Sequence, residues 1–179
     1  MLNLKAIVHG ILKDYALPWD GIHGVSHWAR VLENGLRLTE LIGAKVEVVQ
    51  LFAVFHDSCR VNEAIDPDHG KRGADLAAKR RGSLFDLSDD DYQLLYDACA
   101  GHTDGGTQAD ITIETCWDAD RLDLGRVGMM PDPNRLCTPA ARSPEIVKWA
   151  HGRAVFLMVP QFISSQWGID AERWGEQLR

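Results

Sequence analysis

The chain has 179 residues, which suits one domain better than two. Its 45% hydrophobic and 25% charged content excludes a disordered or collagen-like chain. A formal net charge of −7 and a pI near 5.4 exclude a general nucleic-acid binder, although not a local basic patch.

Taken in chain order, the signals are helical. Leu4, Ile7, Val8, Ile11, Leu12 and Tyr15 form one apolar stripe between Leu2 and Ala16, stopped before Pro18. A second helix is expected from about Ser26 to Ile42, with Gly43 as its stop. Lys45 to Asp57 is the most hydrophobic segment. Its valines would also suit a strand, but its length and the lack of a partner strand favour a buried helix. A fourth helix is expected over His69 to Arg81. A fifth opens at Ser88, an N-cap followed by Asp89, Asp90 and Asp91 in the favourable first turn, and ends near Thr103. A sixth covers Ile111 to Leu124. Met129 to Arg142 carries three prolines and reads as a loop, after which Ser143-Pro144 opens the final helices. The expectation is all-α: one domain over 1–179, with helices over 143–179 packing on the rest.

Cys59, Cys99, Cys116 and Cys137 form no C-x-x-C pair, which speaks against a cysteine zinc site and for reduced thiols in the cytoplasm. The first residues lack the basic start and apolar run of a signal peptide, and no apolar stretch reaches membrane-spanning length. Trp28, Trp117 and Trp149 read as core residues. Trp167 and Trp174 read as cover for an apolar patch or an oligomer contact.

Seven histidines are the chemical feature to follow, because imidazole is the commonest metal ligand. The His56-Asp57 pair alone is expected by chance in a chain this rich in both residues. Its place at the end of the most apolar helix is more informative, because a buried carboxylate needs a partner. His27 borders the apolar face that Val31 continues. Asp118 and Asp120 diverge around one helix, so both cannot face solvent while Trp117 and Leu122 are buried; one of them should point inward.

The order His27, His56-Asp57, Asp120 resembles the H…HD…D signature of the HD-domain superfamily of metal-dependent phosphohydrolases. His27-Trp28-Ala29-Arg30-Val31 is similar to the first motif, H-x-x-R-V. Phe55-His56-Asp57-Ser58 is similar to the second. Ala119-Asp120-Arg121-Leu122 is similar to the last, A-D-[RK]-L. The resemblance covers about residues 20–128. It implies an all-α HD fold whose buried central helix carries the His-Asp pair. It also implies a metal held by His27, His56, Asp57 and Asp120. Such donors suit Mn²⁺, Fe²⁺, Co²⁺, Ni²⁺ or Zn²⁺, with Mg²⁺ admissible, and one ion is favoured over two.

His69 and His102 resemble histidines that bind a second ion or phosphate in some members. Arg30, Arg60 and Lys71, with His23, are candidates to bind an anionic substrate, and Arg72 stands with them in sequence. Asp57 or Glu63 is the candidate proton acceptor. The implied activity is hydrolysis of a small phosphate ester or nucleotide. The alternatives are an HD-fold di-iron oxygenase, which would use the two extra histidines, and a non-catalytic nucleotide-sensing module. Substrate selection is assigned to the 129–142 loop and to residues 101–107.

Overall fold

The computed structural model describes residues 2–170. Among the described residues there are eight α-helices: α1 (Leu4–Leu12), α2 (Val25–Ile42), α3 (Val46–Phe55), α4 (His69–Arg80), α5 (Asp89–Gly101), α6 (Ile111–Arg121), α7 (Pro144–Val155) and α8 (Phe162–Ser165). Short 3₁₀ turns cover Leu124–Val127 and Pro133–Arg135. No strand is present among the described residues, so the ambiguity over the third segment resolves as helix. None of these helices is long and apolar enough to cross a membrane.

The centre is α3. Seven of its ten residues are buried, from Val48 to Phe55 with only Gln50 excepted. This absence of a polar face is what a helix surrounded on all sides requires. Helices α2, α4, α5 and α6 pack around it. Several local stops match the sequence. Gly43 ends α2 with a left-handed φ of 76°. Ser88 accepts from Asp91 N at the start of α5, and Asp110 accepts from Thr112 N at the start of α6.

Other expectations need correction. Helix α1 ends at Leu12 rather than near Ala16; Tyr15 lies beyond it, packs edge-on against Trp28 and donates to the His23 carbonyl. Helix α6 ends at Arg121, and the chain tightens into the 3₁₀ turn that follows. Asp118 and Asp120 both point inward, rather than only one of them. Asp118 accepts from Cys137 N, Thr138 N and Thr138 Oγ1, anchoring the 129–142 loop. Trp149 is half-buried, with Arg37 and Arg153 each 4.4 Å from its ring centroid. Trp167, expected as surface cover, is fully buried against Phe162. Trp174 lies outside the described residues.

Glycine permits one close approach that positions the site. A Cβ on Gly73 would stand 2.2 Å from the Phe55 carbonyl oxygen. Glycine there lets α4 lie directly on the end of α3, which carries His69 to the His56-Asp57 pair.

Candidate metal site

Helix ends build the site. His27 lies in the first turn of α2. His56 and Asp57 directly follow α3, His69 opens α4, His102 directly follows α5, and Asp120 lies in the last turn of α6. The C-terminal ends of α3, α5 and α6 therefore meet there. Their combined partial negative charge favours a cation.

The four residues of the H…HD…D pattern converge. His27 Nε2 lies 3.1 Å from His56 Nε2, 3.5 Å from Asp57 Oδ2 and 3.4 Å from Asp120 Oδ1. His56 Nε2 lies 3.8 Å and 3.9 Å from the same two oxygens. Both rings aim a lone pair at this point because their other nitrogen is committed elsewhere. His56 Nδ1 donates to the Phe52 carbonyl at 3.1 Å, and His27 Nδ1 donates to Asp123 Oδ2 at 2.8 Å. Burial pushes His56 down to about 3, outweighing the pull of Asp57 and Asp120, so its ring is neutral and able to ligate at neutral pH. Burial alone would raise the Asp57 carboxyl. The histidines around it, His56 foremost, instead hold it well below the usual carboxylate range. Asp120 is likewise held low, against its burial, by Arg126 and the surrounding histidines.

The donor set fits a divalent ion. Asp120 Oδ1 is buried with no hydrogen-bond partner, while two imidazole lone pairs face the same point. Groups that repel one another in this way call for a shared cation. His27, His56 and Asp57 form one group that could hold a metal ion, and Asp57, His69 and His102 form another.

Asp57 joins the two groups. Its Oδ1 lies 3.1 Å from His69 Nε2 and 3.6 Å from His102 Nε2. His69 Nδ1 donates to the Asp66 carbonyl and His102 Nδ1 to the Cys99 carbonyl. Although burial opposes it, the Asp57 carboxylate raises the pKa of His102 above the ordinary imidazole value.

The remaining sequence candidates divide. Arg60 reaches the site, with Nη1 2.9 Å from His69 Nε2 and 3.5 Å from Asp57 Oδ1. His23 and Glu63 meet at 2.5 Å beside it, with the His23 ring 6.1 Å from that of His27. Arg30 is buried and turned to Asp123, at 2.7 Å and 3.0 Å, and to the Met158 carbonyl. Lys71 is exposed and paired with Asp75 one helical turn on. Arg72 binds Asp66 and the Cys59 and Pro67 carbonyls.

The sequence left open whether Asp123 contributes at the site and did not single out Arg126. Asp123 joins His27 to Arg30, and the signal available for it was its spacing of three from Asp120. Arg126, three residues before the 129–142 loop, places Nη2 3.7 Å from Asp120 Oδ1 and is held by the Ile22 and Asp123 carbonyls.

A cleft of about 710 Å³ opens over the cluster. Asp57, Asp120, His69 and His102 lie on its inner side, with Arg60 and Arg126, and Ile65, Leu124, Met129 and Met130 are apolar members of its lining. Arg121 holds two of its loops together by donating to the Gly105, Gly106 and Arg135 carbonyls.

No family model and no curated protein matches the sequence. Among solved structures, the chain is similar to the crystal structure of a predicted HD superfamily hydrolase from an uncultured Thermotogales bacterium. The identity is 26%, 90% of each chain is covered, and the TM-score is 0.62. The chain therefore shares the helical fold of that HD-superfamily structure, and its own His27, His56, Asp57 and Asp120 converge at one point.

Proposed function

We propose that the chain is a metal-dependent phosphohydrolase acting on a small phosphate ester or nucleotide. The observation that carries this reading is Asp120 Oδ1, buried without a hydrogen-bond partner and facing two imidazole lone pairs at the inner side of an arginine-flanked cleft. The relative's description as a predicted hydrolase supports the reaction class. Four free cysteines support action in a reducing cytoplasm, and the shared helical packing supports a single domain.

His27, His56, Asp57 and Asp120 would hold the ion. The chemistry it supplies when bound is activation of water at neutral pH and polarisation of a phosphoryl oxygen. Asp123 fixes the His27 ring, and Arg30 fixes Asp123, so Arg30 positions a ligand without touching substrate. Asp57 is a weak base, since it is held far below the usual range. Proton acceptance therefore falls to Glu63 with His23, whose short hydrogen bond stands beside the ligand cluster. Arg60 and Arg126 flank the cluster and stabilise charge that develops on phosphoryl oxygens. The acidic chain thus presents a locally cationic site to a small anion, without the broad basic surface that nucleic acid requires.

Purified protein supplied with Mn²⁺, Co²⁺ or Ni²⁺ is expected to hydrolyse members of a panel of phosphate esters and nucleotides. A panel left untouched by all three metal forms overturns the proposal. Oxygen consumption by an iron-loaded protein would favour the oxygenase instead.

A further inference from the structure

The lobe formed by Asp57, His69 and His102 has the donors of a second cation site, yet the structure already places a cation in it. Two imidazoles have their Nδ1–H groups committed to backbone carbonyls, and their Nε2 atoms lie 2.9 Å apart beside Asp57 Oδ1. Arg60 Nη1 enters this arrangement, 2.9 Å from His69 Nε2 and 3.5 Å from Asp57 Oδ1. We propose that the Arg60 guanidinium is the resident cation of this lobe and restricts the chain to one metal ion. This rests on the metal reading of the neighbouring His27, His56, Asp57 and Asp120 lobe.

Charge and anchoring both support it. One divalent ion balances the carboxylates of Asp57 and Asp120. A second would enter a lobe whose only carboxylate is already shared. It would also face a fixed positive charge at close range in a poorly screened interior. Arg60 is only 7% exposed, so water does little to screen it.

Displacing the guanidinium would also break its hold on the backbone. Nη2 donates to the Ala64 carbonyl at 2.8 Å, and Nε to the Asn62 carbonyl at 3.4 Å. The loop carrying those carbonyls is itself tied down. Asp66 accepts from Val61 N at 2.8 Å and from Arg72 Nη2 at 2.6 Å. The side chain is therefore held from three directions, and a second ion bound by Asp57 and His69 would have to displace it.

The test is metal stoichiometry. Metal-free wild type is titrated with Mn²⁺ and freed of excess, and metal per chain is measured by mass spectrometry and by electron paramagnetic resonance. Wild type should saturate at one ion with an isolated-ion spectrum. Arg60→Met should take up a second ion and give the spectrum of an exchange-coupled pair, because Asp57 would bridge the two ions. Adding His69→Ala to Arg60→Met should return the count to one. Saturation of wild type at two ions overturns the proposal and needs no variant. A helical Arg60→Met protein that still saturates at one ion also overturns it. If Arg60→Met loses its helical circular dichroism, Arg60→Gln, which keeps a donor for the Ala64 carbonyl, takes its place under the same criteria. Wild type that binds no ion would overturn the metal reading of the first lobe, and this proposal with it.

Discussion

The two sides of the cleft are made by opposite means. On the inner side every imidazole is fixed by a hydrogen bond on its outer nitrogen: His56, His69 and His102 to backbone carbonyls within four residues, and His27 to Asp123 across the fold. These groups are buried and sit on helix ends packed against α3. On the outer side Ile65 is 89% exposed and Met130 64% exposed, and both belong to loops. A side chain locked in this way specifies one chemistry. Loosely held apolar side chains specify only rough shape and apolar character, and methionine in particular adapts to what it touches. On the proposed function, the difference assigns reaction and substrate choice to separable parts of the molecule.

The comparison can be broken most directly at Asp57, which contacts both ligand groups. Asp57→Ala should abolish metal occupancy and hydrolysis while the helical circular dichroism stays largely intact. Full occupancy measured by mass spectrometry would remove Asp57 from the ligand set. Asp123→Asn keeps the shape but removes the charge that orients His27 and pairs with Arg30. Metal affinity should fall by about 10–100-fold in a calorimetric titration. An unchanged affinity would mean that the His27 ring needs no external orientation.

Gly73→Ala tests the packing that brings α4 to the inner side. The added methyl must displace either α4 or the end of α3. A loss of about 1–3 kcal/mol should appear as a lower melting temperature. The smallest effect is expected on the outer side. Met130→Ala removes no more than about 1 kcal/mol of apolar contact, so KM should rise by about fivefold or less with kcat unchanged. A collapse of kcat would show that the two sides are not separable.

The sequence made the inner side legible to the extent that chemistry restricts residue type. Few side chains can ligate a divalent ion, and His27, His56, Asp57 and Asp120 are brought together as their pattern implied. The helices were legible because α3 has almost no polar face while α1 and α2 each carry a clear stripe. Side-chain direction was not legible. Arg30 follows His27 by three residues, which places both on one face of α2, but that proximity serves Asp123 and not an open cleft. Lys71 follows His69 by two residues and yet points to solvent beside Asp75. The contribution of Asp123 stayed open because the expected helix continued to Leu124, and Arg126 beyond it carried no motif. The chain instead tightens after Arg121, and that change aims both residues back at the cluster.

The placement of all these groups at helix ends has a consequence for folding. Residue 27, the 56–57 pair and residue 120 are far apart in the chain, so an ion bound by all four would act as a cross-link closing two large loops at once. Such a link stabilises only the assembled bundle, since no single helix carries the complete set. Chelation should therefore lower the temperature at which the whole bundle melts, more than it loosens any one helix, and the shift should grow with the free metal concentration removed.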